Sequence, residues 1–199
     1  MKPLYLPKAS FAPPIHDSAI HMTAKTLICY GTRYGTTSGI VEEMAKTARD
    51  AGAEVDVIEL KKNLPEVNPG DYDLVIVGSG IQAGQWKKEP LKFIESNLSG
   101  LTQTRLALFV VCGDAGNPEL CDTAQADYLD KVAAMFPSLT PVSTGLFGGM
   151  FDFKRYNFVV RALVKRIVKS RSPPGEEVPE TMDFRDWDKI QQWIRELVQ

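Results

Sequence analysis

KTLICYGTRYGTTSGIVEEMAKTARDA, residues 25–51, begins with an apolar run from Thr26 to Tyr30 and breaks into GTRYGTT. It resumes as a pattern in which Ile40, Val41, Met44, Ala45 and Ala48 recur at i, i+3, i+4 spacing. That order predicts a strand, a tight hydroxyl-rich loop and a helix. A loop so placed suits a phosphate group: the free N–H groups of a helix N-terminus converge there, and the hydroxyls of Thr32, Thr36, Thr37 and Ser38 can donate beside them. Gly31 and Gly35 let the backbone turn and approach. The loop lacks the closing Lys-Ser/Thr of a P-loop and is not the GxGxxG of a dinucleotide site, so a phosphomonoester fits it better than either. An ordinary strand-to-helix turn capped by Ser or Thr would show the same residues.

Downstream, Glu54 to Leu60 alternates apolar and acidic residues, as a strand near a sheet edge does. LVIVG (Leu74 to Gly78) and LALFVV (Leu106 to Val111) are uninterrupted apolar runs, the mark of parallel strands buried on both faces. A fifth strand is expected over Leu139 to Thr144, and helices over Leu91–Leu98, Ala124–Phe136, Phe153–Ser170 and Asp186–Val198. Five strands alternating with helices predict an α/β, doubly wound, five-stranded parallel sheet of order 2-1-3-4-5 with helices on both faces. Its ligand crevice lies at the carboxyl ends of the first and third strands.

Three glycine-rich loops then meet at one edge: Gly31 to Ser38, Ser79 to Trp86, and Cys112 to Pro118. The TxxGTT loop resembles the FMN-phosphate loop of flavodoxins. The resemblance implies a flavodoxin-like fold and an FMN site built from Thr32, Arg33, Tyr34, Gly35, Thr36 and Thr37 in the first loop. The second loop supplies Ser79, Gly80, Ile81, Gln82, Ala83, Gly84 and Trp86, and the third Cys112, Gly113 and Asp114. Trp86 is the expected aromatic wall against the flavin ring, or else a packing tryptophan at a helix start. Asp114 is expected at the ring's polar edge, or as a solvated turn residue.

The second half sharpens the resemblance. GLFGGMFDFKRYNFVVRALVKRIVKS followed by FRDWDKIQQWIREL is similar to the C-terminal half of the bacterial quinone-dependent protoporphyrinogen oxidase family, and TRYGTT and IQAGQW resemble that family's loops. It implies an FMN-dependent oxidoreductase that takes electrons from a small molecule, protoporphyrinogen IX in the family, and passes them to a quinone. A flavodoxin-type shuttle without its own substrate, exchanging electrons with a redox protein, is the alternative. Shuttles of that kind are usually strongly acidic, whereas this chain carries a net charge of only −2. The chain departs from the family pattern after the fourth strand, where GDAGNPELCDTAQAD is acidic rather than basic. No catalytic residue is assigned.

Composition limits other readings. A chain of 199 residues, 44% hydrophobic, suits one sizeable core, expected over residues 25–199, with residues 1–24 as a Pro-containing N-terminal arm. Neither net charge nor any motif points to nucleic acid. His16 and His21 both fall in the arm, so no histidine-based metal centre or catalytic triad is expected. Three cysteines without CxxC spacing suit reduced thiols in a cytoplasm. Residues 154–171, KRYNFVVRALVKRIVKSR, hold seven cations and no acid. They are expected to form a helix that packs Phe158, Val159, Ala162, Leu163, Ile167 and Val168 on the sheet and turns a basic stripe toward solvent or an anionic membrane surface at the inner face.

Overall fold

The computed structural model describes residues 24–171 and 177–199. Residues 1–23 of the expected arm, with both histidines, and part of the linker before the last helix lie outside the described residues.

The sheet carries β1 (Lys25–Gly31), β2 (Glu54–Glu59), β3 (Leu74–Gly80), β4 (Arg105–Cys112) and β5 (Ser143–Gly148), all parallel, in the order β2-β1-β3-β4-β5. Period-2 alternation explains why both faces are covered. Leu27, Cys29, Val75, Val77, Leu106, Leu108 and Val110 point into one apolar cluster; Ile28, Tyr30, Leu74, Ile76, Ala107, Phe109 and Val111 point into the other. The first cluster is closed by α2 (Lys88–Ser96), α3 (Leu98–Leu101) and the helical run α4 (Cys121–Gln125), a π turn (Ala126–Asp130) and α5 (Lys131–Met135). The second is closed by α1 (Thr36–Asp50) through Ile40, Val41 and Met44, and by the last helix, α7 (Trp187–Val198), through Ile190, Ile194 and Leu197. Each of these fully buried side chains contributes about 1.5–3 kcal/mol.

The fifth strand is displaced from the sequence expectation. It starts at Ser143, not Leu139, because Pro141 has no N–H to give a ladder. GLFG, which lies beyond the expected end of that strand, is the strand's buried end. Glycine at position 145 leaves room for Phe147 and Trp193, which would meet any Cβ there.

The expected Phe153–Ser170 helix is also redrawn. Residues Met150–Asp152 form β6, which pairs antiparallel with β7 (Thr181–Asp183); a 3₁₀ turn spans Phe153–Arg155, and only then does α6 (Phe158–Arg171) begin. Nor does α6 lay its apolar face on the sheet. Phe158, Val159 and Leu163 are 84%, 73% and 58% exposed, while Val164 and Val168 turn inward over a cavity. The final helix, α7 (Trp187–Val198), is where the sequence predicts it, with Asp186 capping it by accepting from the Lys189 N–H at 3.0 Å.

Candidate functional site

At the carboxyl ends of β1, β3 and β4 the three predicted loops do meet. A small pocket of about 70 Å³ is bounded by Thr32, Arg33, Tyr34, Thr36 and Thr37 from the first loop, Gly80 from the second, and Cys112 and Gly113 from the third. Gly35 adopts a left-handed φ of 86°, which turns the chain sharply into α1 without cost to a side chain. The Gly35 N–H donates to Thr32 Oγ1 at 3.1 Å, and no side chain caps α1. The N–H groups of that first turn therefore face the pocket with the positive end of the helix dipole behind them. Thr37 is buried, and a Cβ at Gly80 would come within 2.7 Å of its hydroxyl oxygen. Glycine at 80 is what lets the second loop close on the first.

Beside this pocket lies an apolar cavity of about 420 Å³. Its floor is loop backbone, from Ala83 and Gly84 on one side and Gly113 and Gly116 on the other; its roof is Phe151, Val164, Val168, Met182 and Phe184, from β6, α6, β7 and the residue after β7. Phe151 rests against Gly113 so closely that a Cβ there would collide with its ring, and it lines both spaces. Phe184 crowds Gly116 in the same way, on the apolar cavity alone. The lobe is tied down by a ladder of hydrogen bonds: Gly149 N–H to the Cys112 carbonyl at 3.0 Å, Phe184 N–H to the Gly149 carbonyl at 3.0 Å, and Thr36 Oγ1 to the Met150 carbonyl at 3.1 Å. Arg155 adds a clasp, its Nη1 donating to the Tyr34 carbonyl at 3.1 Å, while Tyr34 and Tyr156 meet edge to face at 4.6 Å.

The cavity's polar end holds Asp114, whose Oδ2 accepts from the Tyr128 hydroxyl at 3.1 Å. Burial, and then that carboxylate, push the Tyr128 phenol up to about 12, so it is a protonated donor at neutral pH. Tyr128 sits in the π turn, which lets its carbonyl reach out to accept from the Trp86 indole N–H. Burial likewise raises the Cys112 thiol to about 11, so the loop presents a neutral S–H.

Some predicted residues take other places. Trp86 is only 7% exposed, packs within the core and does not line the apolar cavity. The aromatic side chains around that cavity are Phe151, Phe184 and Tyr128. Its indole N–H donates to the Tyr128 carbonyl, and while most of the side chain packs in the core it also borders a second space beside Lys87 and Lys88. Ser79 is fully buried and structural, its hydroxyl donating to the Gly80 carbonyl and accepting from the Lys87 N–H. Ile81, Ala83 and Gly84 reach the apolar cavity, and Gln82 turns away to donate to the Tyr34 hydroxyl at 3.2 Å. Sequence reasoning missed Gly149, Met150, Phe151 and Arg155. The signal for the first two is the glycine-rich GLFGGM (Gly145 to Met150), which has the composition of the other three loops; Phe151 and Arg155 lie beyond it.

The donor set suits a phosphomonoester with a flat ring attached. The pocket offers hydroxyls and a helix terminus, the adjoining cavity offers glycine backbone and apolar side chains, and Cys112 and Gly113 line both. If FMN is bound, the hydroxyls of Thr32 and Thr37 and the α1 terminus, opened by Thr36, are the groups that hold its phosphate. The loops at 81–84 and 112–116 then hold its ring, which supplies two-electron redox chemistry.

A doubly wound sheet of this order, with a phosphate-suited loop after β1 and a ring-sized cavity beside it, defines a flavodoxin-like protein. The chain belongs to the flavodoxin domain family, whose model matches residues 27–176. It is 25% identical over 173 residues to the protoporphyrinogen IX dehydrogenase [quinone] of Escherichia coli strain K12, covering 87% of this chain and 94% of that protein. It is 25% identical over 174 residues to the enzyme of the same name from Leishmania major, covering 87% and 74%. Among solved structures, oxidised flavodoxin 1 from Bacillus cereus superposes with a TM-score of 0.52 at 16% identity, covering 88% of this chain and 97% of that one. Among the described residues, no helix is long and apolar enough to cross a membrane.

Proposed function

We propose that this chain binds FMN and is an oxidoreductase that takes electrons from a small planar substrate, protoporphyrinogen IX by analogy with its relatives, and hands them to a quinone. The observation that carries the reading is the roofed cavity. The β6–β7 and α6 lobe covers the space where a flavin ring would lie next to the phosphate pocket, and it lines that space with Phe151, Val164, Met182 and Phe184. An enzyme needs such a space, because an apolar enclosure takes up a flat substrate and keeps water from the reacting ring. A protein that only shuttles electrons gains more from a bare flavin edge, so the lobe favours the enzyme over the shuttle.

Within this reading the chain's own groups have distinct tasks. The α1 terminus and threonines anchor the phosphate, the loop backbone around Gly113 orients the ring, and the Asp114 carboxylate, fixed by the Tyr128 hydroxyl that donates to it, sets the polar end. The acceptor reaches the protein from a lipid surface: α6 turns Phe158, Val159 and Leu163 outward beside Arg166 and Lys169, a combination suited to the headgroup region of an anionic membrane.

The test is direct. Protein purified or reconstituted with FMN should show a flavin absorption spectrum and release FMN on denaturation. It should also bleach on anaerobic addition of protoporphyrinogen IX and recover its colour with a soluble quinone. Bound flavin that quinone reoxidises but no protoporphyrinogen reduces would retain the cofactor and overturn the substrate.

A further inference from the structure

On the far side of the second loop from the apolar cavity lies another space, of about 420 Å³, with a different chemistry. Arg33, Gln82, Gln85, Lys87 and Lys88 line it, and Glu89 is its single carboxylate. Lys87 Nζ stands 3.6 Å from that Glu89 carboxylate, and the pair is about three-quarters covered. Among the described residues, neither Arg33 nor Lys88 has a carboxylate within ion-pair distance. The groove therefore sets three cations and two amide side chains against one acid. Helix stability does not account for the lysines, since Lys87 caps α2 and Lys88 opens it, where the helix dipole disfavours positive charge.

The wall between groove and cavity is a two-residue hairpin. Gln82 and Gln85 exchange backbone hydrogen bonds at 3.0 and 3.1 Å around Ala83 and Gly84, both at positive φ, 49° and 73°. A non-glycine residue held at positive φ is uncommon. Ala83 lines the apolar cavity on one side and the basic groove on the other, so the two spaces meet at the tip of this turn.

We propose that the groove of Arg33, Lys87 and Lys88 is an anion subsite for the substrate, taking the carboxylate side chains of a planar molecule whose ring system lies across the 82–85 hairpin, against a flavin held in the apolar cavity. The proposal rests on the oxidoreductase reading above and deepens it, assigning the acid groups of the substrate to one set of residues and its ring to another. A neutral quinone gains nothing from the groove. The two half-reactions therefore depend on different residues.

The probe is mesoporphyrin IX, compared as the free dicarboxylic acid and as its dimethyl ester by absorbance titration, with FMN binding measured separately by fluorescence. The wild type should bind the diacid more tightly than the diester at low salt, and the preference should shrink as salt rises. Neutralising the two lysines (Lys87→Gln with Lys88→Gln) should weaken diacid binding roughly five-fold, leave the diester and FMN unchanged, and be largely rescued by Lys87→Arg with Lys88→Arg. Equal binding of diacid and diester by the wild type, or diacid binding indifferent to the Gln substitutions, overturns the subsite. Loss of FMN binding with the diacid preference intact would overturn the flavin reading and leave the subsite standing.

Discussion

Thr32, Thr36 and Thr37 lie within one loop yet do three different jobs. Thr32 Oγ1 accepts the Gly35 N–H and shapes the turn, Thr36 Oγ1 donates to the Met150 carbonyl and ties down the lobe, and Thr37 is buried against Gly80. Thr32 and Thr37 are therefore the hydroxyls free to serve a phosphate. Replacing both by Ala should cost about 1.5–3 kcal/mol of FMN affinity per lost donor to a charged acceptor, read in a fluorescence titration. An unchanged dissociation constant would move the phosphate elsewhere. The thiols divide just as sharply. Burial pushes Cys29 up to about 12 and Cys112 to about 11, and both are buried, whereas Cys121 is partly exposed. Because the thiolate is the reactive form, a disulfide reagent at neutral pH should modify Cys121 rapidly and the other two only on unfolding. A second fast thiol would mean that the Cys112 loop opens.

Helix α6 is the element whose role the structure changed most. Its inner residues Val164 and Val168 roof the cavity, while Phe158, Val159 and Leu163 stay in water beside Arg166 and Lys169. Lys165 is drawn back over the Phe153 ring at 5.4 Å, and Lys154 is taken up by Glu180 at 2.8 Å. The cations left facing outward share a side with exposed apolar side chains. That predicts co-sedimentation with vesicles rich in anionic lipid, weakened by salt and by Arg166→Gln with Lys169→Gln, and weakened independently by Phe158→Ser with Leu163→Ser. Binding that ignores the apolar pair would reduce the contact to charge alone; no binding at low salt would remove it. The β6–β7 ribbon, by contrast, is held internally. Arg185 pairs with Asp183, reaches Met150 Sδ at 3.6 Å and lies over the Trp187 ring at 4.6 Å, and the guanidinium hydrogen bond holds the Asp183 carboxyl below its usual range.

For the molecule as a whole, the site and the fold share their supports. The phosphate loop starts α1, the helix that packs on α7, and the lobe hangs from β5. FMN that binds only the folded chain should stabilise it by about 2.7 kcal/mol at a hundredfold excess over its dissociation constant, read as a rise in melting temperature that is absent with riboflavin if the phosphate anchors it. Alkaline pH acts in the opposite direction. Tyr72 and Tyr128 are pushed up to about 12, first by burial and then by the carboxylates of Asp56 and Asp114 that their hydroxyls meet. An unfolded tyrosine titrates near 10. Between about pH 10 and 12 the unfolded chain has already lost protons that the folded one keeps, so stability should fall as pH rises through that window. Phenolate absorbance together with circular dichroism would show whether these two tyrosines ionise only as the fold is lost.

By itself the sequence determined the architecture. Alternating and unbroken apolar runs leave a parallel sheet few ways to bury both faces, and right-handed crossovers then impose the order β2-β1-β3-β4-β5. It also located the loops after β1, β3 and β4, because their glycines and threonines follow strand ends directly. What lay beyond it was decided by packing between segments far apart in the chain. The lobe exists because residues 150–152 pair with 181–183, and a three-residue ribbon leaves almost no periodic trace. Trp86 is held in the core because Tyr128, 42 positions away, offers its carbonyl to the indole. Helix α6 carries an apolar pattern, but a pattern says only that a face is apolar. Whether that face meets the sheet, a cavity or solvent depends on where the ribbon and the 3₁₀ turn set the axis of the helix, and that is decided only in three dimensions.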